Sequence, residues 1–117
     1  MRQVIIVGSG IAGLYCALRC AEHSRVTLIT KDQIAASSSS YAQGGIAAVL
    51  DQHDSFAKHV RDTLTAGSFH NSKAAVETVI QEAPYHVQQL LNLGVAFTTK
   101  GQKLDLTREG GHSQRRI

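Results

Sequence analysis

The 117-residue chain is 43% hydrophobic and 18% charged, with one proline and ten glycines, which excludes a disordered or fibrous polymer and bounds it to about one small globular domain. Its net charge of +3 arises from scattered basic residues, and three tyrosines and three phenylalanines without tryptophan offer no stacking platform, so the composition argues against nucleic-acid binding. The opening run MRQVIIVGSG is too short for a signal-peptide core and no apolar run is long enough to span a membrane, so the expected compartment is the cytoplasm.

Residues 3–7, QVIIV, are a β-branched run that stops at glycine, the pattern of a buried parallel strand. A helix is expected over 11–23, with Ile11, Leu14, Tyr15 and Leu18 at helical spacing and alanines and cysteines between them to allow close packing on a sheet. Cys16 and Cys20 have no second Cys/His pair at metal spacing and read as buried free thiols. RVTLIT, residues 25–30, supplies a second strand, so strand, glycine turn, helix and strand open a βαβ unit. Residues 35–48 are small or polar and read as a loop; SSSS taken alone would be a flexible tether.

Two helical patterns follow. In the segment 54–67, Asp54 or Ser55 is the N-cap, Phe56, Val60 and Leu64 share a face, and Gly67 is the stop. In 71–94, Asn71 or Ser72 is the N-cap and Val76, Val79, Ile80, Ala83, Val87, Leu90 and Leu91 recur at spacings of three and four up to Gly94. Pro84 interrupts this pattern and predicts a kink, or a break with a second piece starting near it. Residues 95–98 suggest a short strand, and the tail from 99 is polar.

The first glycines carry chemistry. Gly8, Gly10 and Gly13 stand in G-x-G-x-x-G order between a strand and a helix: the first allows the tight turn, the second lets backbone approach a pyrophosphate, and the third lets helix and strand pack closely. A diphosphate would then meet the helix N-terminus, where unpaired amides and the helix dipole favour negative charge. The acidic residue expected after the second strand is replaced by Thr30 and Lys31, with Asp32 one step late. Spacing leaves Lys31 open between a contact to the adenosine ribose or a phosphate and a solvated lysine. The tail carries Arg108, Glu109, His112, Arg115 and Arg116, which on composition alone read as a solvated charged loop. His23, His53, His59, His70 and His86 share no ligand spacing and read as surface or helix-face residues, without a metal site.

GSGIAG, YAQGGIAA and LTREGGHSQRRI together resemble the N-terminal part of the L-aspartate oxidase family, in the succinate dehydrogenase/fumarate reductase flavoprotein superfamily, over essentially all 117 residues. The two longer motifs are the more specific. The resemblance implies an α/β fold, the N-terminal part of a Rossmann-like FAD-binding domain with an incomplete sheet. It implies FAD with its pyrophosphate at Ser9, Gly10, Ile11 and Ala12, between Gly8 and Gly13, and it favours Lys31 as an adenosine-end contact. Ser38, Ser39, Ser40, Tyr41, Ala42, Gln43, Gly44 and Gly45 would run beside the remaining diphosphate and the isoalloxazine, the glycines letting backbone lie close to the ring. Respiratory relatives carry in this loop a histidine bonded covalently to flavin; residues 37–40 have none, which implies dissociable FAD.

By the same resemblance the tail borders the substrate site, with Glu109 meeting the ammonium group of L-aspartate and His112 and the arginines orienting carboxylates. The implied reaction is oxidation of L-aspartate to iminoaspartate with oxygen or fumarate as acceptor, the first step of NAD biosynthesis, with quinolinate synthase as the functional partner. The family's base arginine comes later in sequence, as do its capping and C-terminal helical domains. Residues 1–117 therefore read as a fragment that is inactive alone and contains no catalytic residue. A stand-alone FAD- or ADP-binding module, or another fumarate reductase-type flavoprotein, is the alternative.

Overall fold

The computed structural model describes residues 2–42 and 44–116, which divide into two compact units meeting between Gly44 and Gly45. In the first, β1 (Arg2–Val7) and β2 (Ser24–Ile29) pair in parallel, with Val4 opposite Val26 and Ile6 opposite Leu28. Helix α1 (Ile11–Ala21) connects them and packs on both strands. Burial in the strands alternates with period two: Val4, Ile6, Val26 and Leu28 are half-buried, while Ile5, Val7 and Ile29 lie exposed on the other face. Such alternation is expected when a sheet is covered on one side only.

Of the stripe of large apolar residues on α1, only Tyr15 is half-buried. Gly13, Ala17 and Cys20 are less exposed than Ile11, Leu14 and Leu18. Small residues win this face because a helix carrying them lies closer to the sheet than one carrying leucines. Cys16 is exposed and Cys20 half-buried, both as free thiols, which corrects the expectation that they are buried. The serine loop also departs from expectation: α2 (Ser38–Tyr41) is one helical turn, capped by the Ser37 hydroxyl accepting from the Ser40 amide.

The second unit is built on α3 (Phe56–Ala66) packed against α4 (Lys73–Asn92). Ser55 caps α3 through the Lys58 amide and Ser72 caps α4 through the Ala75 amide, so each pair of cap candidates resolves to serine. Helix α4 runs unbroken through Pro84, contrary to a break there. Ile80 and Val87, two turns apart and on either side of the proline, are both buried, so packing holds one helical phase across the lost hydrogen bond. Gly94 ends the helix region with φ +87°. The strand expected over 95–98 is absent; pairing begins later, where β3 (Thr99–Lys100) meets β4 (Lys103–Leu104) in an antiparallel hairpin, and Thr107 forms an isolated bridge with Arg116.

The phase of α4 is testable by truncation on its two faces. Ile80→Ala is expected to cost about 2–5 kcal/mol in urea unfolding, whereas Val79→Ala, at a position 68% exposed, should change stability by about 0.5 kcal/mol or less. Equal losses would mean that α4 is rotated.

Candidate functional site

The glycine turn follows β1 directly. Gly8 has φ +113°, a conformation only glycine adopts without strain, and its amide donates to the Ile29 carbonyl at 2.8 Å. A Cβ on Gly13 would collide with the Gly8 carbonyl, so that glycine is required by the close approach of helix and turn. Gly10 is different. Its backbone is ordinary (φ −70°), and an added Cβ would meet only the Ser39 hydroxyl at 3.5 Å, an ordinary contact. Two of the three glycines are therefore demanded by the fold, whereas the third leaves space that the protein itself does not need. Gly44 and Gly45 likewise have nothing within 4 Å of an added Cβ, each within its own unit. These bare backbone positions fit a group that approaches the main chain from outside.

Polar atoms cluster at the same turn. Ser9 is 4% exposed and its hydroxyl shares a hydrogen bond with that of Thr30 at 3.0 Å, so the end of β2 is tied to the turn and Ser9 has its backbone to offer a ligand. The N-cap of α1 is Gly10, which has no side chain to cap with; instead the Ile11 amide donates to Ser39 Oγ at 3.0 Å. A hydroxyl oxygen from α2 thus sits at the positive end of α1, where an anionic oxygen would be favoured. The structure brings Gly10, Ile11 and Ser39 together. Lys31 is exposed, and its side chain has no hydrogen bond or ion pair among the described residues. Ser38, Ser40, Tyr41 and Ala42 are exposed, while Gln43 lies outside the described residues.

Glu109 and His112 belong to the second unit, in a loop closed by paired backbone hydrogen bonds between Thr107 and Arg116, both 2.8 Å. The Thr107 hydroxyl donates to Glu109 Oε1 at 3.0 Å and Arg108 Nε donates to the His112 carbonyl at 2.9 Å. The reading of this tail as a solvated loop is corrected at Arg116, which is 1% exposed. Its guanidinium donates to both Asp54 carboxylate oxygens at 2.7 and 3.1 Å and to Asp62 at 2.8 Å. Asp62 also accepts from the Ser113 amide and hydroxyl. Arg116 is thereby engaged by the protein through all three guanidinium nitrogens and holds the tail on the start and middle of α3.

The electrostatics follow from this packing. Burial would raise Asp62, but the Ser113 amide and hydroxyl together with Arg116 hold it at about 2, and Asp54 is likewise lowered, Arg116 outweighing burial. Arg116 is raised in turn, its two carboxylates outweighing desolvation. His59, expected at a surface or helix-face position, is on α3 and 5% exposed; burial first, then the Arg116 charge, lowers it and favours the neutral ring. It stands edge-on to His112 with ring centroids 6.1 Å apart, and the Nδ1 atoms of both rings are buried without a hydrogen-bond partner among the described residues. A shallow apolar depression of about 220 Å³, lined by Thr63, Ala75, Val76, Val79 and Ile80, lies on the α3–α4 pair and has no polar group suited to a dinucleotide.

Residues 3–117 match the FAD binding domain family. The chain belongs to that family. Among curated relatives of this FAD-binding chain, the L-aspartate oxidase of Nostoc sp. is 50% identical over 98% of it and that of Yersinia pestis 49% identical over 98%. The chloroplastic L-aspartate oxidase 2-b of Nicotiana tabacum is 46% identical over 96%. The chain spans about a fifth of the length of these relatives, between 17% and 22%. Among solved structures, the Mycobacterium smegmatis Sdh1 complex matches with a TM-score of 0.88 at 32% identity, and the FrdA of Escherichia coli quinol fumarate reductase with 0.87 at 29%. The match covers 100% and 99% of this chain and 21% of each of those chains. The fold is thus the α/β start of a flavoprotein FAD-binding domain, and FAD is its cofactor. The glycine turn and Ser39, both in the first unit, fit that group. No helix among the described residues is long and apolar enough to cross a membrane.

The two kinds of glycine separate folding from binding. Gly10→Ala is expected to keep the circular dichroism and melting of the parent chain while weakening FAD binding at least tenfold in a fluorescence titration, and Gly13→Ala should lower stability itself. Equal FAD affinity for Gly10→Ala and the parent would remove Gly10 from the site. A second expectation concerns acid. Asp62, at about 2 when folded against an ordinary 3.8, adds about 2 kcal/mol of stability that is complete above pH 4 and lost as pH falls towards 2. His59, lowered, makes stability decline as pH falls below its ordinary 6.5, because the unfolded chain takes up the proton first. Urea midpoints measured from pH 8 to 2 should show both declines, with the lower one shallower in Asp62→Asn.

Proposed function

We propose that this FAD-binding chain serves the oxidation of L-aspartate to iminoaspartate, passing electrons to oxygen or fumarate, as the flavin-binding segment of an L-aspartate oxidase. The observation that carries the reading is 50% identity to the Nostoc oxidase across 98% of the chain. When bound, FAD supplies the two-electron sink, and the protein supplies position and charge. The amides of Ile11 and Ala12 and the backbone of Ser9 and Gly10 hold the diphosphate, with Ser39 giving way or joining as a further polar contact. Lys31 contacts the adenosine end, and residues 38–45 follow the rest of the cofactor. Binding is non-covalent, since the loop 37–40 carries no histidine.

Glu109 receives the substrate ammonium and so distinguishes an amino acid from succinate. It is suited to this because it is exposed on a loop pinned by the Arg116 triad, with only the Thr107 hydroxyl on its carboxylate among the described residues. His112 lines the same loop. No residue of this chain is assigned a proton-transfer role. The setting is cytoplasmic NAD biosynthesis, with quinolinate synthase taking the product. A second reading, an FAD- or ADP-binding module without catalysis, draws on the glycine turn of the first unit, where the free space at Gly10 asks only for a nucleotide.

A chimera tests the proposal: this chain replaces the matching segment of the Nostoc oxidase, and peroxide formation with aspartate is measured. The chimera is expected to oxidise aspartate, and the 117-residue chain alone to bind FAD without forming peroxide. Glu109→Gln in the chimera should lower kcat/KM for aspartate about ten- to a hundredfold, the loss of a charged hydrogen bond, with succinate kinetics changed less than twofold. An inactive chimera that binds FAD would favour the second reading, and equal losses on both substrates would remove Glu109 from discrimination.

A further inference from the structure

Cys16 and Cys20 lie one turn apart on α1, four residues from each other, with their sulfurs 3.9 Å apart and no disulfide between them. Cys16 is exposed, so the pair can be reached from solvent. We propose that these two thiols form a chelating site for one soft monovalent cation of the copper(I) class. The donor count selects the ion. Structural zinc needs four protein ligands, and among the described residues no group of three or more His, Cys, Asp or Glu side chains is placed to hold a metal. A soft d10 cation favours thiolates and is satisfied by two of them.

The separation suits a chelate. Two sulfurs about 2.3 Å from one ion, the zinc–sulfur length, stand about 3.8 Å apart at a tetrahedral angle and about 4.6 Å apart when opposed. The observed 3.9 Å lies inside that range, and a small rotation of the exposed Cys16 side chain opens it towards the linear limit. The unloaded pair is a hydrogen-bonded dithiol, so loading must displace protons. The step balances as two thiols and one monovalent cation giving a bis-thiolate complex and two protons, with no change in oxidation state.

The test uses the reduced 117-residue chain under anaerobic conditions, with copper(I) delivered from a chromogenic chelator and the bound ion read by competition and intact mass. The expected result is one ion per monomer, and at least a hundredfold weaker binding in Cys16→Ser and in Cys20→Ser. In the unmodified chain, loading should protect both thiols from alkylation together, a readout that does not depend on the variants folding. Retention of full affinity by either single variant, by the double variant through histidines, or as an ion bridging two chains would overturn the site. So would alkylation of either thiol at an unchanged rate after loading.

Discussion

The carbonyl of Gly8 lies so close to α1 that position 13 has no room for any side chain, and the geometry of the first unit follows from that contact. It sets how near the helix comes to β1, and with it the preference of the packing face for Gly13, Ala17 and Cys20 over leucine-sized residues. The same approach delivers the first-turn amides of α1 to the end of the strand pair, beside Thr30 and Ser39. A dinucleotide site therefore arises as a by-product of tight helix–strand packing. Gly10 is the position at which the fold asks for nothing and the ligand asks for space.

The second unit is organised by charge instead. Arg116 is inserted between Asp54 and Asp62, 62 and 54 residues away, and every strong donor position of its guanidinium that the structure pairs goes to one of these carboxylates. Removing Arg116 would leave two carboxylates beside each other without their cation, the kind of loss that typically costs about 3–5 kcal/mol. The triad thus does for the tail what hydrophobic packing does for α3 and α4. It holds a loop of mostly exposed polar residues in one conformation, with Glu109 held only by the Thr107 hydroxyl among the described residues.

Local chemistry made much of this legible from residues alone. The β-branched runs located β1 and β2 to within a residue or so, and polar pairs at the heads of α3 and α4 bracketed both caps, because those signals act over a few residues. Features that depend on partners far along the chain left no such mark. Ser39 reaches the Ile11 amide across 28 residues, and nothing about a serine run says which hydroxyl will do so. Asp54 read as a cap candidate, and no local signal paired it or Asp62 with Arg116. Pro84 misled because its intrinsic cost is local, whereas the burial of Ile80 and Val87 that outweighs it comes from another helix. On α1 the small residues expected to allow close packing do pack, as Ala17 and Cys20 show, whereas Ile11, Leu14 and Leu18 of the apolar stripe stay exposed.

The uncovered side of the β1–β2 pair has a consequence for handling the chain. Ile5, Val7 and Ile29 present an apolar strip on a two-stranded ribbon whose outer edges carry unpaired amides and carbonyls, a surface that recruits further strands. Colloidal behaviour will therefore be governed by this strip more than by the modest net charge. Concentrated preparations will tend towards ribbon-to-ribbon self-association, and lysine placed at position 5 or 7 on the bare face is the natural solubilising change.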